Sequence, residues 1–199
     1  EKVIEEKNGI KYAFLAYTSV TNGLLPPSGK EYLTNIYSKE KAQKDINKIK
    51  DKVDLIIVSM HWGEEYVTTP NNSQKQIAKD LSDMGVNLVI GNHAHMIEPV
   101  EKINNTLVFY ALGNFIAAQD TNDKQTGALV TLNINKDKNG KIIFSNVKAN
   151  LLYTYFKGSH NFKVYPYTKL NNSLLNNYET YYNKYKGVLT KYTNIVEVE

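Results

Sequence analysis

Residues 54–60 read DLIIVSM, a short apolar run that begins after polar residues and ends at a histidine, and this stretch decides the fold. Runs of this kind are typical of parallel strands that are buried on both faces of a sheet. Residues 87–90 (NLVI) and 106–112 (TLVFYAL) have the same character, and Gly91 and Gly113 directly follow them. We therefore predict three buried strands, the second and third of which end at a glycine.

Helical periodicity lies before the first of these strands and between the first two. One helix is predicted over residues 38–52 with Ser38 as its N-cap. A second helix is predicted to open at Ser73, with Gln76 at capping-box spacing and Gly85 as its C-terminal cap. Their buried stripes are Ala42, Ile46, Ile49 and Val53 in the first and Ile77, Leu81 and Met84 in the second. Strands that alternate with helices indicate an α/β fold.

The rest of the chain gives weaker signals. Residues 10–18 predict an earlier strand, and the glycines and prolines of residues 22–30 predict a loop. Apolar residues alternate over 130–134, and the Asn-Gly pair at 139–140 favours a turn, which predicts an antiparallel hairpin on the sheet. Residues 171–192 are predicted to be a helix that serves as a lid or a packing element.

Composition excludes several classes of site. The chain has 199 residues, a length typical of one domain, and 22% of them are charged. All 24 basic residues are lysines spread along the chain, which is not the pattern of a nucleic-acid reader. Without arginine, an anion must be held by lysine, backbone N–H groups or a metal. Without cysteine there are no disulfides, thiolate zinc sites or cysteine nucleophiles.

Three of the four histidines directly follow predicted strands. His61 ends the first run, and His93 and His95 follow the second. Ligands of open α/β sheets collect at the carboxyl ends of the strands, so these imidazoles should meet at one edge. Histidine is the commonest side-chain metal ligand, and we predict a metal site there. The alternative is that each is a hydrogen-bonded structural histidine; His160 is predicted to lie on the surface, in a polar loop over 158–161.

Other polar residues adjoin these histidines. Glu64 and Glu65 follow Gly63, and either could orient a ligand or act as a general acid or base. Their alternative is an ordinary solvated loop. Asn114 follows Gly113 and could bind a ligand or stabilise its own turn. We assign catalytic roles to Glu65 and Asn114.

Three blocks, in this order, resemble those of the bacterial capsule-synthesis CapA family, which is associated with poly-γ-glutamate and capsule synthesis. Residues 61–66 (HWGEEY) resemble its H-W-G-x-E-Y block, and residues 91–95 (GNHAH) resemble its G-x-H-x-H block. Residues 110–115 (YALGNF) resemble its Y-S-L-G-N-F block, with Ala111 in place of serine. The likeness spans roughly residues 10–150.

The resemblance implies a divergent calcineurin-type metallophosphoesterase, with a layered α/β/β/α sandwich, a mixed sheet and a two-metal centre. It implies that His61, His93 and His95 are metal ligands, and that the cofactor is divalent zinc, manganese or iron. Asn92 stands where many members of the family carry another histidine.

The sequence departs from the family pattern in its N-terminal part. The family's early Gly-Asp block and its Asn-Asn-His block are absent, so the resemblance covers only the C-terminal half of the domain. We place that half at residues 1–155, and residues 156–199 form a largely helical packing segment of the same domain. The chain begins at Glu1, and we expect it to be a piece of a longer protein. This piece should hold one metal weakly or none, and should itself be inactive.

Two functions are compatible with the sequence. The parent is either a metal-dependent hydrolase or transferase acting on a phosphate or amide bond of an envelope substrate, or a non-catalytic component that binds the anionic polymer. In both cases we expect an extracytoplasmic protein, at the cell surface or anchored to the membrane, whose partners are membrane-bound synthesis proteins and not nucleic acid. We also expect the isolated piece to self-associate through an uncovered sheet.

Overall fold

A computed structural model of the chain describes residues 4–158 and 160–199. The strands in this part of the chain are β1 (Ile4–Lys7), β2 (Ile10–Thr18), β3 (Leu55–His61), β4 (Leu88–Asn92), β5 (Val100–Ile103), β6 (Thr106–Phe109), β7 (Thr126–Lys136), β8 (Ile142–Lys157), β9 (His160–Pro166) and β10 (Val196–Val198). The α-helices are α1 (Lys39–Asn47), α2 (Asn72–Asp83) and α3 (Tyr178–Leu189). None of these helices is long and apolar enough to cross a membrane.

The first sheet has six strands in the order β1-β2-β3-β4-β6-β5. Its four central strands run parallel, while β1 and β5 pair antiparallel at the two edges. The strands predicted at 10–18, 54–60, 87–90 and 106–112 are the four parallel ones. The predicted α/β class with a mixed sheet is confirmed.

One face of this sheet is covered by α1 and α2. Strand residues of alternating position point to this face, among them Val58, Met60, Val89 and Val108. They pack against the helix residues Ala42, Ile46, Ile77, Ala78 and Leu81, which include members of both predicted stripes. Apolar side chains that recur every second residue in the strands and every 3.6 residues in the helices thus form one core, which explains why the helices lie on this face.

The opposite face packs against a second sheet. Strands β10, β8 and β7 lie in that order, and β9 also pairs with β8. Leu88, Leu107 and Phe109 of the first sheet share a core with Ala149 and Leu151 of β8. The hairpin predicted at 130–144 forms, but it was placed wrongly on the first sheet. It builds the second sheet instead, because the apolar residues of β7 and β8 face that shared core.

Several predicted boundaries were also wrong. The second helix begins two residues early, because Asn71 is its N-cap and forms a capping box with Gln74, not Ser73 with Gln76. The first helix has Ser38 as N-cap as predicted, but it ends at Asn47, before the predicted end at residue 52. Its last predicted residues form turns.

The C-terminal segment is only partly helical. Helix α3 occupies less than the predicted 171–192, since the Asn171 side chain accepts the Ser173 N–H at 3.0 Å and stabilises a turn first. Strands β9 and β10 belong to the second sheet. His160 opens β9, although we predicted a loop there, and it is exposed as expected.

Candidate functional site

The candidate site lies at the carboxyl ends of β2, β3 and β4. The register pairs Thr18 with His61 and His61 with Asn92, so the three strands end side by side. His93 is the next residue after β4, and its ring centroid lies 4.4 Å from that of His61. The sheet therefore brings together two histidines that are 32 positions apart in the chain.

His61 is held in a defined orientation by the loop that follows β2. Its Nδ1 lies 3.0 Å from Thr18 Oγ1 and 3.2 Å from the carbonyl oxygen of Val20. A carbonyl can only accept, so Nδ1 carries the proton in the neutral ring. The lone pair then sits on Nε2, the atom that a metal or a substrate proton could meet.

His93 has an unusual backbone conformation and a side chain whose pKa is lowered. Its φ of 102° lies in a region that non-glycine residues rarely occupy, as is often seen at functional sites. Burial, followed by the nearby His61, lowers the pKa of His93. A neutral imidazole next to another imidazole is the form that binds metal.

His95 is oriented by Asn114. The two Nδ2 protons of Asn114 go to the carbonyl oxygens of His95 (3.3 Å) and Lys124 (2.8 Å). Its Oδ1 therefore faces His95 Nδ1 at 2.9 Å and accepts that proton, which again leaves the lone pair on Nε2. The geometry thus gives Asn114 an orienting contact with a site histidine.

The loop after β3 is anchored against β4 and β6. The buried Trp62 donates its indole N–H to the carbonyl oxygen of Tyr110 at 2.9 Å. Tyr66, at a left-handed φ of 67°, donates its backbone N–H to the carbonyl oxygen of Ala94 at 2.7 Å. This last bond joins the two histidine-bearing loops directly.

The two glutamates of this loop have different surroundings. Glu65 accepts a hydrogen bond from Asn22 Nδ2 at 3.4 Å, and its negative charge acts to raise the pKa of His93. Glu64 is exposed and accepts from Asn71 Nδ2 at 3.3 Å. Of the two, Glu65 is the one whose carboxylate acts electrostatically on His93.

Sequence reasoning missed a buried pair beneath this loop. Gln74 Nε2 donates to Glu98 Oε2 at 2.7 Å, and both side chains are almost fully buried. Burial raises the pKa of Glu98 to about 7, and the other carboxyl oxygen has no hydrogen-bond partner. Gln74 also packs closely against Gly63: a Cβ added at Gly63 would lie only 2.7 Å from the Gln74 side chain. The capping-box position of Gln74 was the one available signal.

The donor set fits part of a metal centre. His61 and His93 present two imidazoles side by side, and His95 lies near enough for its charge to lower the pKa of His93. Within residues 4–158 and 160–199, however, no three His, Asp or Glu side chains are grouped so that they could hold a metal ion. The two imidazoles can serve as two ligands of a metal ion, and further groups must complete its coordination.

Comparison with known proteins gives a consistent result. The family described as bacterial capsule synthesis protein PGA_cap matches residues 1–119. The PGA biosynthesis protein CapA of Bacillus subtilis (strain 168) is 32% identical over 147 residues, which are 69% of this chain and 36% of that protein. The capsule biosynthesis protein CapA of Bacillus anthracis is 29% identical over 153 residues, which are 75% of this chain and 37% of that protein. The chain spans just over a third of the length of these relatives.

Proposed function

Because the chain belongs to the bacterial capsule synthesis family PGA_cap, we propose that it takes part in making the capsule or poly-γ-glutamate polymer of the cell envelope. The resemblance read from the three sequence blocks is confirmed at the level of the family. The mixed six-stranded sheet, backed by a second sheet, agrees with a partial metallophosphoesterase-like fold.

The site contributes half of a metal centre to this function. The observation that carries this proposal is the contact of the His61 and His93 rings at 4.4 Å, each at the end of a parallel strand. The Thr18 and Val20 contacts leave the lone pair of His61 on Nε2, and burial lowers the pKa of His93, which favours its neutral form. A divalent zinc, manganese or iron ion bound there would polarise a phosphoryl or carbonyl oxygen.

The remaining residues act by position and charge. Asn114 fixes the ring of His95, so that its Nε2 can accept a hydrogen bond from a substrate or serve as a further ligand. Glu65 stands where its carboxylate can stabilise a protonated histidine or accept a proton. These roles suit hydrolysis or transfer at a phosphate or amide bond in the envelope polymer.

A second candidate is a non-catalytic component that binds the polymer during assembly. This candidate is supported by the incomplete ligand set: within the described parts of the chain, no carboxylate lies where it would complete a metal site with the histidines. In either case we propose an extracytoplasmic protein associated with the envelope and with membrane-bound synthesis proteins.

Metal titration tests the first candidate. Zinc or manganese is titrated into the 199-residue chain and into a longer protein that contains it, and calorimetry records the binding. We expect weak binding in the chain, tighter binding in the longer protein, and loss of binding in His93→Ala of both. His160→Ala is the matched control, because His160 is exposed on β9.

An activity measurement distinguishes the two candidate functions. Chelator-sensitive hydrolysis of a phosphodiester or amide substrate by the longer protein, lost in His61→Ala, supports the enzyme. Metal binding without turnover supports the assembly component. If the longer protein binds no metal at all, the half-centre proposal is wrong.

A further inference from the structure

The loop between β2 and α1, residues 19–37, carries an apolar tip that the metal half-centre does not use. Leu24 and Leu25 are 80% and 75% exposed, and Tyr32 and Leu33 are 79% and 61% exposed. Single apolar side chains on a surface are ordinary, but four large ones within ten consecutive positions of one loop mark an interaction surface. We call residues 19–37 the β2–α1 loop.

The base of the β2–α1 loop is fixed to the sheet beside the candidate site. Thr18 donates its backbone N–H to the Asn35 carbonyl oxygen at 3.0 Å, and Tyr37 donates to the Thr18 carbonyl oxygen at 2.8 Å. The carbonyl oxygen of Val20 lies 3.2 Å from His61 Nδ1. The loop therefore starts and ends at the sheet edge that carries the histidines.

Leu24 connects the apolar tip with the site itself. A shallow cleft of about 350 Å³ is lined by Leu24 together with Thr18 and His61. A surface that takes up the Leu24 side chain would consequently lie next to the cleft that contains His61. The partner of the tip therefore decides what the candidate site faces.

The backbone at the tip can leave bulk water at little cost. Pro26 and Pro27 have no N–H group. The N–H groups of Leu24 and Lys30 donate within the loop, to the carbonyl oxygens of Thr21 and Pro27, at 2.9 Å each. Unpaired backbone groups are what makes irregular backbone costly in lipid, so these internal bonds suit a loop that enters an apolar medium.

The charges between the two apolar pairs cancel. Lys30 and Glu31 are adjacent, and hydrogen bonds from the Glu31 and Gly29 backbone N–H groups lower the pKa of Glu31. The carboxylate is thus ionised at neutral pH beside one lysine charge. Burial of apolar surface, and not attraction between charges, would drive the binding of this tip.

The size of the tip favours a bilayer over a protein as its partner. Each partner of a stable protein complex buries roughly 800 Å² in a complementary surface, which is more than four side chains on a loop can supply. A bilayer needs no complementary shape. It takes up leucine side chains, while tyrosine and lysine stay at the level of the headgroups.

We propose that the β2–α1 loop inserts Leu24 and Leu25 into the surface of a phospholipid bilayer, with Tyr32 and Leu33 at the headgroup boundary. The loop thereby turns the sheet edge with His61 towards the membrane, where the site meets molecules held in the bilayer surface. This inference goes beyond the proposed function, because the contact requires neither a metal ion nor the polymer.

Vesicle co-sedimentation tests the proposal. The 199-residue chain is mixed with vesicles of pure phosphatidylcholine and with vesicles of equal phosphatidylcholine and phosphatidylglycerol, at low and at high salt and with chelator present. We expect binding to both kinds of vesicle. Binding to the neutral vesicles should not fall as salt rises, because the charges at the tip cancel.

Two double variants make the test specific. Leu24→Ser combined with Leu25→Ser should lower the partition into neutral vesicles by on the order of 30-fold, because two leucine side chains no longer leave water. Leu129→Ser combined with Ile143→Ser is the matched control. These side chains are 49% and 44% exposed on β7 and β8, and their replacement should leave the partition unchanged.

A fluorescent reporter locates the inserted residue directly. Leu25→Trp places an indole at the tip, and its emission should shift to shorter wavelength when neutral vesicles are added. The single native tryptophan, Trp62, is fully buried, so its emission should not change. An unshifted emission in the presence of bound vesicles would show that the tip stays in water.

Several other outcomes would overturn the proposal. They are unchanged partition of the double leucine variant, an equal loss in the matched control, or binding to the anionic vesicles alone that disappears at high salt. If the double leucine variant alters sedimentation of the chain without lipid, the tip is a protein interface and the proposal is wrong. Because chelator is present, failure here leaves the metal half-centre untouched.

Discussion

At the scale of single residues, Glu98 makes the folded chain sensitive to pH. Burial raises the pKa of Glu98 to about 7, above its ordinary value of 4.5. Between these values the unfolded chain binds fewer protons than the folded one, so stability falls as pH rises. The loss is complete above pH 7 and amounts to at most about 3 kcal/mol.

Replacement of this carboxyl by an amide should remove the effect. Glu98→Gln keeps an oxygen for Gln74 Nε2 and cannot ionise. Urea unfolding at pH 5 and pH 8 should show a stability decline in the unmodified chain and a smaller one in the variant. Glu6→Gln, at an exposed position of β1, should decline like the unmodified chain. An unchanged decline in Glu98→Gln would contradict the assignment.

Gly91 is a second residue whose identity is dictated by its neighbours. A Cβ at this position would lie 1.8 Å from the Tyr110 carbonyl oxygen and 2.4 Å from Trp62 Nε1. Gly91→Ala should therefore cost about 3 kcal/mol or more, since backbone and a buried indole must both move. Thermal unfolding measures this loss.

An alanine elsewhere provides the control for that loss. Gly187 lies in α3 with open space around its Cα, so Gly187→Ala should stabilise the chain by up to about 1 kcal/mol. Equal effects of the two substitutions would show that Gly91 is not required by close packing.

The histidines and the residues that support them differ in how far sequence could predict them. His61 and His93 could be placed because each follows an apolar run, and parallel strands end at one edge. Glu98 could not, since its contact with Gln74 joins residues 24 positions apart and depends on how α2 packs. Local patterns carry strand and helix type, whereas contacts such as this one are set by tertiary packing.

At the scale of elements, α2 illustrates how a correct helix can be given a wrong start. Its buried stripe fixed the helix and its face, but Asn71 and Ser73 are both good N-cap residues in sequence. The structure selects Asn71, because Gln74 returns a hydrogen bond to the Asn71 N–H at 2.9 Å. Strands β1, β5, β9 and β10 were missed because they are short or polar and pair at sheet edges or late in the chain.

This choice of cap can be measured. Asn71→Ala removes the side chain that accepts the Gln74 N–H and should cost about 1 kcal/mol. Ser73→Ala should change the free energy of unfolding by less than about 0.5 kcal/mol, because Ser73 lies inside the helix. Chemical unfolding of both variants decides between the two starts. A larger loss of stability in Ser73→Ala than in Asn71→Ala would show that Ser73 is the N-cap, as the sequence predicted.

At the scale of the whole molecule, part of the first sheet is left uncovered by the residues that the structure describes. The second sheet packs over β4 and β6, but the same face continues to β2, where Phe14 is 53% exposed. Phe14 pairs in register with Ile57, and a cleft of about 420 Å³ between the two sheets is lined there by Ile57, Leu132 and Ile134. Apolar surface of this kind favours association.

We therefore expect the 199-residue chain to self-associate through this face. Sedimentation velocity over a range of concentrations should show dimers or larger species, and Phe14→Glu should shift the chain to monomer, because a carboxylate cannot be buried there without a partner. Tyr32→Glu is the control, since Tyr32 is 79% exposed in a short 3-10 helix (Glu31–Leu33) and its replacement should leave association unchanged. If the chain stays monomeric at every concentration, the exposure of this face to water costs too little free energy to drive association, and the prediction is wrong.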